Sequence, residues 1–320
     1  MLERVEKLVS TSIGEWGDVS SLEKRVCVYA TGSYGRRDAS KISDLDLFIV
    51  SKEEDLTRER LISGLEEIEL LATIVRVNRQ LCLPDPDADG SFLSVHKVSE
   101  YLVGLGKPSD DADNTFTGRL LLLLESYPLF GKDVYDHALR ECVERYWIDF
   151  HDHSDSFLPA FLINDILRFW RTLCVNYEAG STGPPEKRRA KNYKLKHSRM
   201  LICYSAIIAL QAEYIQNQTI SPETALLLLK DSPLNRLDVA KKKIGKGGFD
   251  HIDRLFDLYE KFLCETDCSK EILYEKMKDP DYYKSCLSEA RQFGDSVFSI
   301  MQEIAKTDES CQRFFRYIAV

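Results

Sequence analysis

Ala30-Thr31-Gly32-Ser33-Tyr34-Gly35-Arg36-Arg37, followed by Ser43-Asp44-Leu45-Asp46-Leu47-Phe48-Ile49-Val50, decides how this chain is read. Upstream, Arg25-Val26-Cys27-Val28-Tyr29-Ala30 is rich in β-formers and ends at a Gly-Ser turn; downstream, Leu45 to Val50 is a second apolar run. Gly32 and Gly35 let backbone approach a bulky anion. Ser33 offers a hydroxyl and an N–H, a helix starting after the turn would aim further N–H groups, and Arg36 and Arg37 add charged donors for phosphate oxygens. Asp44 and Asp46 are two apart, so on a strand both side chains share one face. Neighbouring carboxylates repel, and a hard divalent cation with phosphate co-ligands removes the conflict.

Gly-Ser-x-Gly-Arg, a short gap, then Ser-Asp-x-Asp and an apolar strand resembles the DNA polymerase β-type nucleotidyltransferase superfamily. Within it, Gly32 to Arg37 and Ser43 to Leu47 are most similar to the branch of the bacterial nitrogen-signalling protein uridylyltransferase and its short stand-alone relatives. A weaker likeness covers Asp110 to Gly131, including Asn114-Thr115-Phe116-Thr117-Gly118-Arg119-Leu120 and Glu125-Ser126. The resemblance implies an NTP substrate, transfer of a nucleoside monophosphate, release of pyrophosphate, and Mg²⁺ (with Mn²⁺ as the substitute) as cofactor. It assigns Asp44 and Asp46 to metal, and it requires a third acid on a neighbouring strand. Asp89 is chosen, because Gly90-Ser91-Phe92 begins the next strand; Asp85 and Asp87 compete. Gly32, Ser33, Arg36 and Arg37 are assigned to the nucleotide, with an ion pair to Asp38 as the competing role for Arg36 and packing as the role of Tyr34. The acceptor stays open among protein, small molecule and RNA. The chain has no room for the phosphohydrolase and regulatory domains of the long nitrogen-signalling enzymes, which argues against that role. The alternative function is a catalytically degenerate nucleotide- or RNA-binding module.

The 320 residues allow two domains, and 44% hydrophobic with 30% charged residues fits a globular protein with a real core. A net charge of −9 excludes a general nucleic-acid binder, so any basic site must be local. No run of 18 apolar residues spans a membrane, and the amino terminus lacks a signal-peptide core. Nine scattered cysteines fit a reducing cytoplasm.

The expected fold is α+β: a small mixed-sheet domain over residues 1–108, then an all-helical bundle over 109–320. A first helix covers residues 2–16. A second covers 55–80, with Leu61, Leu65, Ile68 and Ala72 on one face, although 73–77 also reads as strand. Phe92 to His96 forms a third strand, followed by a helix from Lys97. Asp110 to Asn114 reads as an acidic loop capping the leucine-rich core helix after it, and Asp250 as the cap of a later helix. Ser221-Pro222 starts another. The basic stretch Lys187 to Arg199 stands out in an acidic chain. Lys194, Lys196 and Arg199 are assigned to phosphates of the nucleotide or of a polyanionic acceptor, against the reading of a solvated helix start. Lys241 to Gly248 lacks P-loop order and reads as an exposed loop; His151-Asp152-His153 reads as a surface turn, and Cys264 with Cys268 lacks a partner pair for zinc.

Overall fold

The computed structural model describes residues 2–54, 57–84, 94–112, 114–180 and 183–319, and it divides into two compact units, Met1–Arg145 and Tyr146–Val320. The first unit holds β1 (Val26–Ala30), β2 (Leu47–Ser51), β3 (Val95–Lys97) and β4 (Tyr127–Phe130), in the sheet order β3-β2-β1-β4. β1 is antiparallel to β2 and β4, and β2 is parallel to β3. Because strand side chains alternate, Val26, Val28, Ala30, Leu47, Ile49 and Val95 share one face. That face closes on α1 (Leu2–Gly14) and α4 (Gly64–Gln80) through Val5, Val9, Ile13, Leu70, Ile74 and Val77. The other face is aromatic. Tyr29 stacks on Phe48 at 5.7 Å between centroids, and His96 lies beside both Phe48 and Tyr101. The buried hydroxyls of Tyr29 and Tyr101 meet at 3.1 Å.

α4 starts later than expected, and its core face differs. Ser63 and Glu66 form a capping box, and Arg25 grips the Glu66 carboxylate from β1's end at 2.7 and 3.1 Å. That hydrogen-bonded pairing with Arg25 lowers the Glu66 carboxyl to about 2. Glu53 and Arg60 pair in an isolated antiparallel bridge, and residues 57–62 are turn, bridge and bend rather than helix. Leu65 and Ile68 are 77% and 63% exposed, while Leu70, Thr73, Ile74 and Val77 turn inward. Residues 73–77 are helical.

The boundary expected after residue 108 falls inside the first unit. α7 (Thr115–Leu124) leads into β4, which returns to pair with Val28, Tyr29 and Ala30 at the sheet edge. Pro128 suits that edge position, where its missing donor costs nothing. α8 (Lys132–Tyr146) follows. The acidic run from Asp110 is also corrected: residues 108–112 form the short α6 (Pro108–Ala112). Asp110 is buried, accepting from Arg119 Nη2 at 2.5 Å, Arg119 Nη1 at 3.0 Å and Thr115 Oγ1 at 2.8 Å. A buried cation, not solvent, is its partner.

The second unit is helical: α9 (Ala160–Ala179), α10 (Pro185–Lys194), α11 (Met200–Asn217), α12 (Pro222–Lys230), α13 (Pro233–Lys241), α14 (Lys246–Thr266), α15 (Lys270–Lys278), α16 (Pro280–Ala305) and α17 (Glu309–Ala319). A π-helical turn, Leu195–Arg199, joins α10 to α11. α11 is apolar and buried on nearly every side from Leu201 to Tyr214, as a central helix must be. Ser221 caps α12 with Pro222 at its first position, as the sequence indicates. Asp250 lies inside α14, whose cap is Gly245. In the Lys241 to Gly248 stretch, Lys241, Lys242 and Lys243 pair with Asp253, Asp238 and Glu213. No helix among the described residues is long and apolar enough to cross a membrane.

Candidate active site

The site is built where β1 runs out. Thr31 N–H donates to the Asp46 carbonyl at 2.9 Å, continuing the β1–β2 pairing by one step. The chain then bends through Gly32, at φ +64, into the five-residue α3 (Gly32–Arg36). Left-handed backbone favours glycine, and a Cβ on Gly32 would lie 2.8 Å from Asp46 Oδ2. The Asp46 carboxylate therefore rests against the open side of the turn. At Gly35 a Cβ would fall 2.0 Å from the Glu125 carbonyl oxygen, so the turn is pressed onto the backbone ahead of β4. α3 is barely more than one turn, so single N–H groups, rather than a helix dipole, face whatever lies beyond Gly32.

Asp44 and Asp46 precede β2 rather than lying in it, yet the alternation of a strand holds across them. Leu45, Leu47 and Ile49 are buried, and Asp44, Asp46 and Phe48 are half-buried. Leu45 joins the core over α1 and α4, and the half-buried Asp44 and Asp46 alternate with it. Tyr34 is buried, as packing requires, but its hydroxyl has no hydrogen-bond partner among the described residues. Burial first, then the Asp44 charge, raises its pKa.

Arg36 makes the ion pair to Asp38 that competes with its assignment to phosphate. Its guanidinium donates from Nε to Asp38 Oδ2 at 3.0 Å and from Nη1 to Glu125 Oε2 at 2.6 Å. With 9% side-chain exposure against 6% for Asp38 and 0% for Glu125, the group is a structural clasp fastening α3 to the end of α7. Arg37, by contrast, is exposed; at φ 66 it closes α3 and lays its guanidinium 5.2 Å over the Tyr127 ring. Sequence reasoning missed Glu125, although Glu125-Ser126 stood in the weaker likeness.

The arrangement fits a hard divalent cation in its donor chemistry: two carboxylates on one side, beside a cradle that a Cβ would fill. Among the described residues no group of three or more His, Cys, Asp or Glu side chains converges as a metal site, His151 to His153 and Cys264 with Cys268 included. Asp89, with its competitors Asp85 and Asp87, lies outside the described residues.

Lys194, Lys196 and Arg199 belong to the second unit. Lys194 is exposed at the end of α10; Lys196 and Arg199 are half-buried in the π-helical turn, where the Lys196 charge acts on Cys174 of α9. No curated protein and no solved structure matches the chain. The model of the nucleotidyltransferase domain does match, over residues 16–87, the segment that contains Gly32, Ser33, Asp44 and Asp46 and stops short of Asp89. The matched stretch of the α+β unit, from α2 (Val19–Leu22) through the turn and β2 to the end of α4, is similar to a nucleotidyltransferase domain.

Proposed function

We propose that the first unit is a metal-dependent nucleotidyltransferase that passes a nucleoside monophosphate from an NTP to an acceptor hydroxyl or phosphate and releases pyrophosphate. One observation carries the reading: the Asp46 carboxylate lies against left-handed Gly32, with Asp44 on the same side of its segment. In this reading Asp44 and Asp46, with Asp89 as the third acid, hold Mg²⁺ or Mn²⁺. The bound ion neutralises triphosphate charge and the charge developing on the oxygens in transfer. Gly32 and Ser33 offer N–H groups and a hydroxyl to phosphate oxygens, and Arg37 supplies an exposed cation beside them. Arg36 keeps the turn in place through Asp38 and Glu125. The acceptor oxygen bonds to the α-phosphorus as the bond to the bridging oxygen of the leaving pyrophosphate breaks, and the acceptor proton goes to a carboxylate, for which Asp89 is our choice. Lys194, Lys196 and Arg199 are assigned to phosphates of substrate or acceptor. The branch of the nitrogen-signalling uridylyltransferase and its short relatives is where we place the domain, on Gly32 to Arg37 and Ser43 to Leu47. A reducing cytoplasm is the compartment proposed, on nine free thiols.

The test is incubation of the full chain with each α-labelled NTP and Mg²⁺ or Mn²⁺, with and without protein, small-molecule and RNA acceptors. Label transfer or pyrophosphate release is expected, and Asp44→Asn with Asp46→Asn should remove it. Turnover that survives in the double variant excludes this site. Nucleotide binding without turnover in any arm would instead make the unit a binding module.

A further inference from the structure

α10 carries a dense run of positive charge, Lys187, Arg188, Arg189, Lys191 and Lys194, against the single acid Glu186. The structure separates these residues by role. Arg189 is spent on packing: it donates to the Met277 carbonyl at 2.8 Å and the Lys278 carbonyl at 3.3 Å, capping α15, and lies 5.0 Å over the Tyr283 ring. Asn192 adds a hydrogen bond to the Tyr283 hydroxyl at 3.1 Å. Ala190 and Tyr193 fill the buried side. The helix is thus pinned by one face, and the opposite face is fixed in direction.

That opposite face presents Lys187, Lys191 and Lys194, all exposed, at the i, i+4, i+7 spacing of one helical row. Arg188 flanks them, 3.8 Å from the exposed Glu178. Elsewhere in this unit Lys241, Lys242, Lys243, Lys261, Lys276 and Lys306 are each matched to a carboxylate. Lys187 and Lys191 have no acid partner among the described residues.

We propose that this face of α10 binds the phosphate backbone of a single-stranded nucleic acid. At a rise of ~1.5 Å per residue the three lysines form a row about 10 Å long, which suits a chain of phosphates rather than one point anion. Long lysine stems track a backbone without reading its bases, so sequence preference should be weak. A lipid surface fits less well, because helices that lie on membranes bury large apolar side chains, and the positions between these lysines offer none. The proposal deepens the transferase reading by naming the acceptor's class. Its test uses neither nucleotide nor metal, so either idea can fail alone.

The experiment is fluorescence anisotropy of 5′-fluorescein 20-mer oligouridylate and oligothymidylate titrated with the full chain at several salt concentrations. Saturable binding at low salt is expected. Lys187→Glu, Lys191→Glu and Lys194→Glu together should weaken it more than tenfold and reduce the slope of log affinity against log salt by about 2, at ~0.7 per phosphate contact. A charge-matched control, Lys242→Glu, Lys246→Glu and Lys306→Glu together, alters three exposed lysines elsewhere on the unit and should shift affinity less than threefold. Melting curves of both variants should overlay the parent's, since every changed side chain is exposed. Three results overturn the proposal: no binding of either strand at low salt, an equal loss in the control, or association only with phosphatidylserine vesicles.

Discussion

Removing Arg36 takes its guanidinium away from Glu125, whose side chain is fully buried. Breaking a buried pair from one side costs about 3–5 kcal/mol, more than most single substitutions. Arg36→Ala should therefore lower unfolding free energy in urea by roughly that amount, and a loss under about 1 kcal/mol would contradict the clasp. Gly35→Ala should be worse tolerated than Gly64→Ala. The first drives a Cβ to 2.0 Å from the Glu125 carbonyl, and the second meets nothing within 4 Å. Comparing soluble yield and melting temperature of the two variants checks this. At this scale the turn was legible in the sequence, since Gly32 and Gly35 mark it locally. The sequence offered Asp38 as a partner of Arg36 but could not name Glu125, which lies 89 positions away, because no local pattern shows which distant acid a buried arginine will meet.

His197 sets the behaviour of the π-helical turn. It is fully buried, Nδ1 donates to the Tyr193 carbonyl at 2.9 Å, and the ring stacks on Phe262 at 4.8 Å. A carbonyl only accepts, so the proton sits on Nδ1, and Nε2 is left as an acceptor with no donor among the described residues. Burial lowers the imidazole to about 4. As pH falls from 6.5, the unfolded chain takes the proton first, so stability drops until the native imidazole titrates near 4. Over that window the loss is on the order of 3 kcal/mol. His197→Phe should flatten the dependence between pH 6.5 and 4.5, above the range in which Glu66 contributes; thermal melts across that range test it, and an unchanged slope refutes the assignment. Element types were largely legible, because caps such as Ser221-Pro222 and the apolar character of α11 are local signals. The face of α4 was not. Leu65 and Ile68 fit a helical stripe, but the late start at Ser63 and the position of the sheet select Leu70, Ile74 and Val77 instead.

For the whole molecule, two units and nine free cysteines summarise the architecture. Cys27 and Cys142 are buried, and burial pushes both thiols up to about 12. Reductant should leave the melting temperature of freshly purified protein unchanged; a drop on adding dithiothreitol would reveal a stabilising disulfide. The α+β character was readable from strand patterns around the turn. The extent of the first unit was not, since Tyr127-Pro128-Leu129-Phe130 is four residues long, contains proline, and is set between helices, so only its pairing with β1 marks it as sheet. The central claim is that Asp44 and Asp46 tolerate one another through a shared cation that arrives with a triphosphate. Electron paramagnetic resonance titration of Mn²⁺ with a non-hydrolysable NTP analogue tests it without any acceptor. The parent chain should deplete free Mn²⁺ in a saturable, nucleotide-enhanced manner, and the Asp44→Asn, Asp46→Asn variant should not; equal depletion by both proteins would contradict the account.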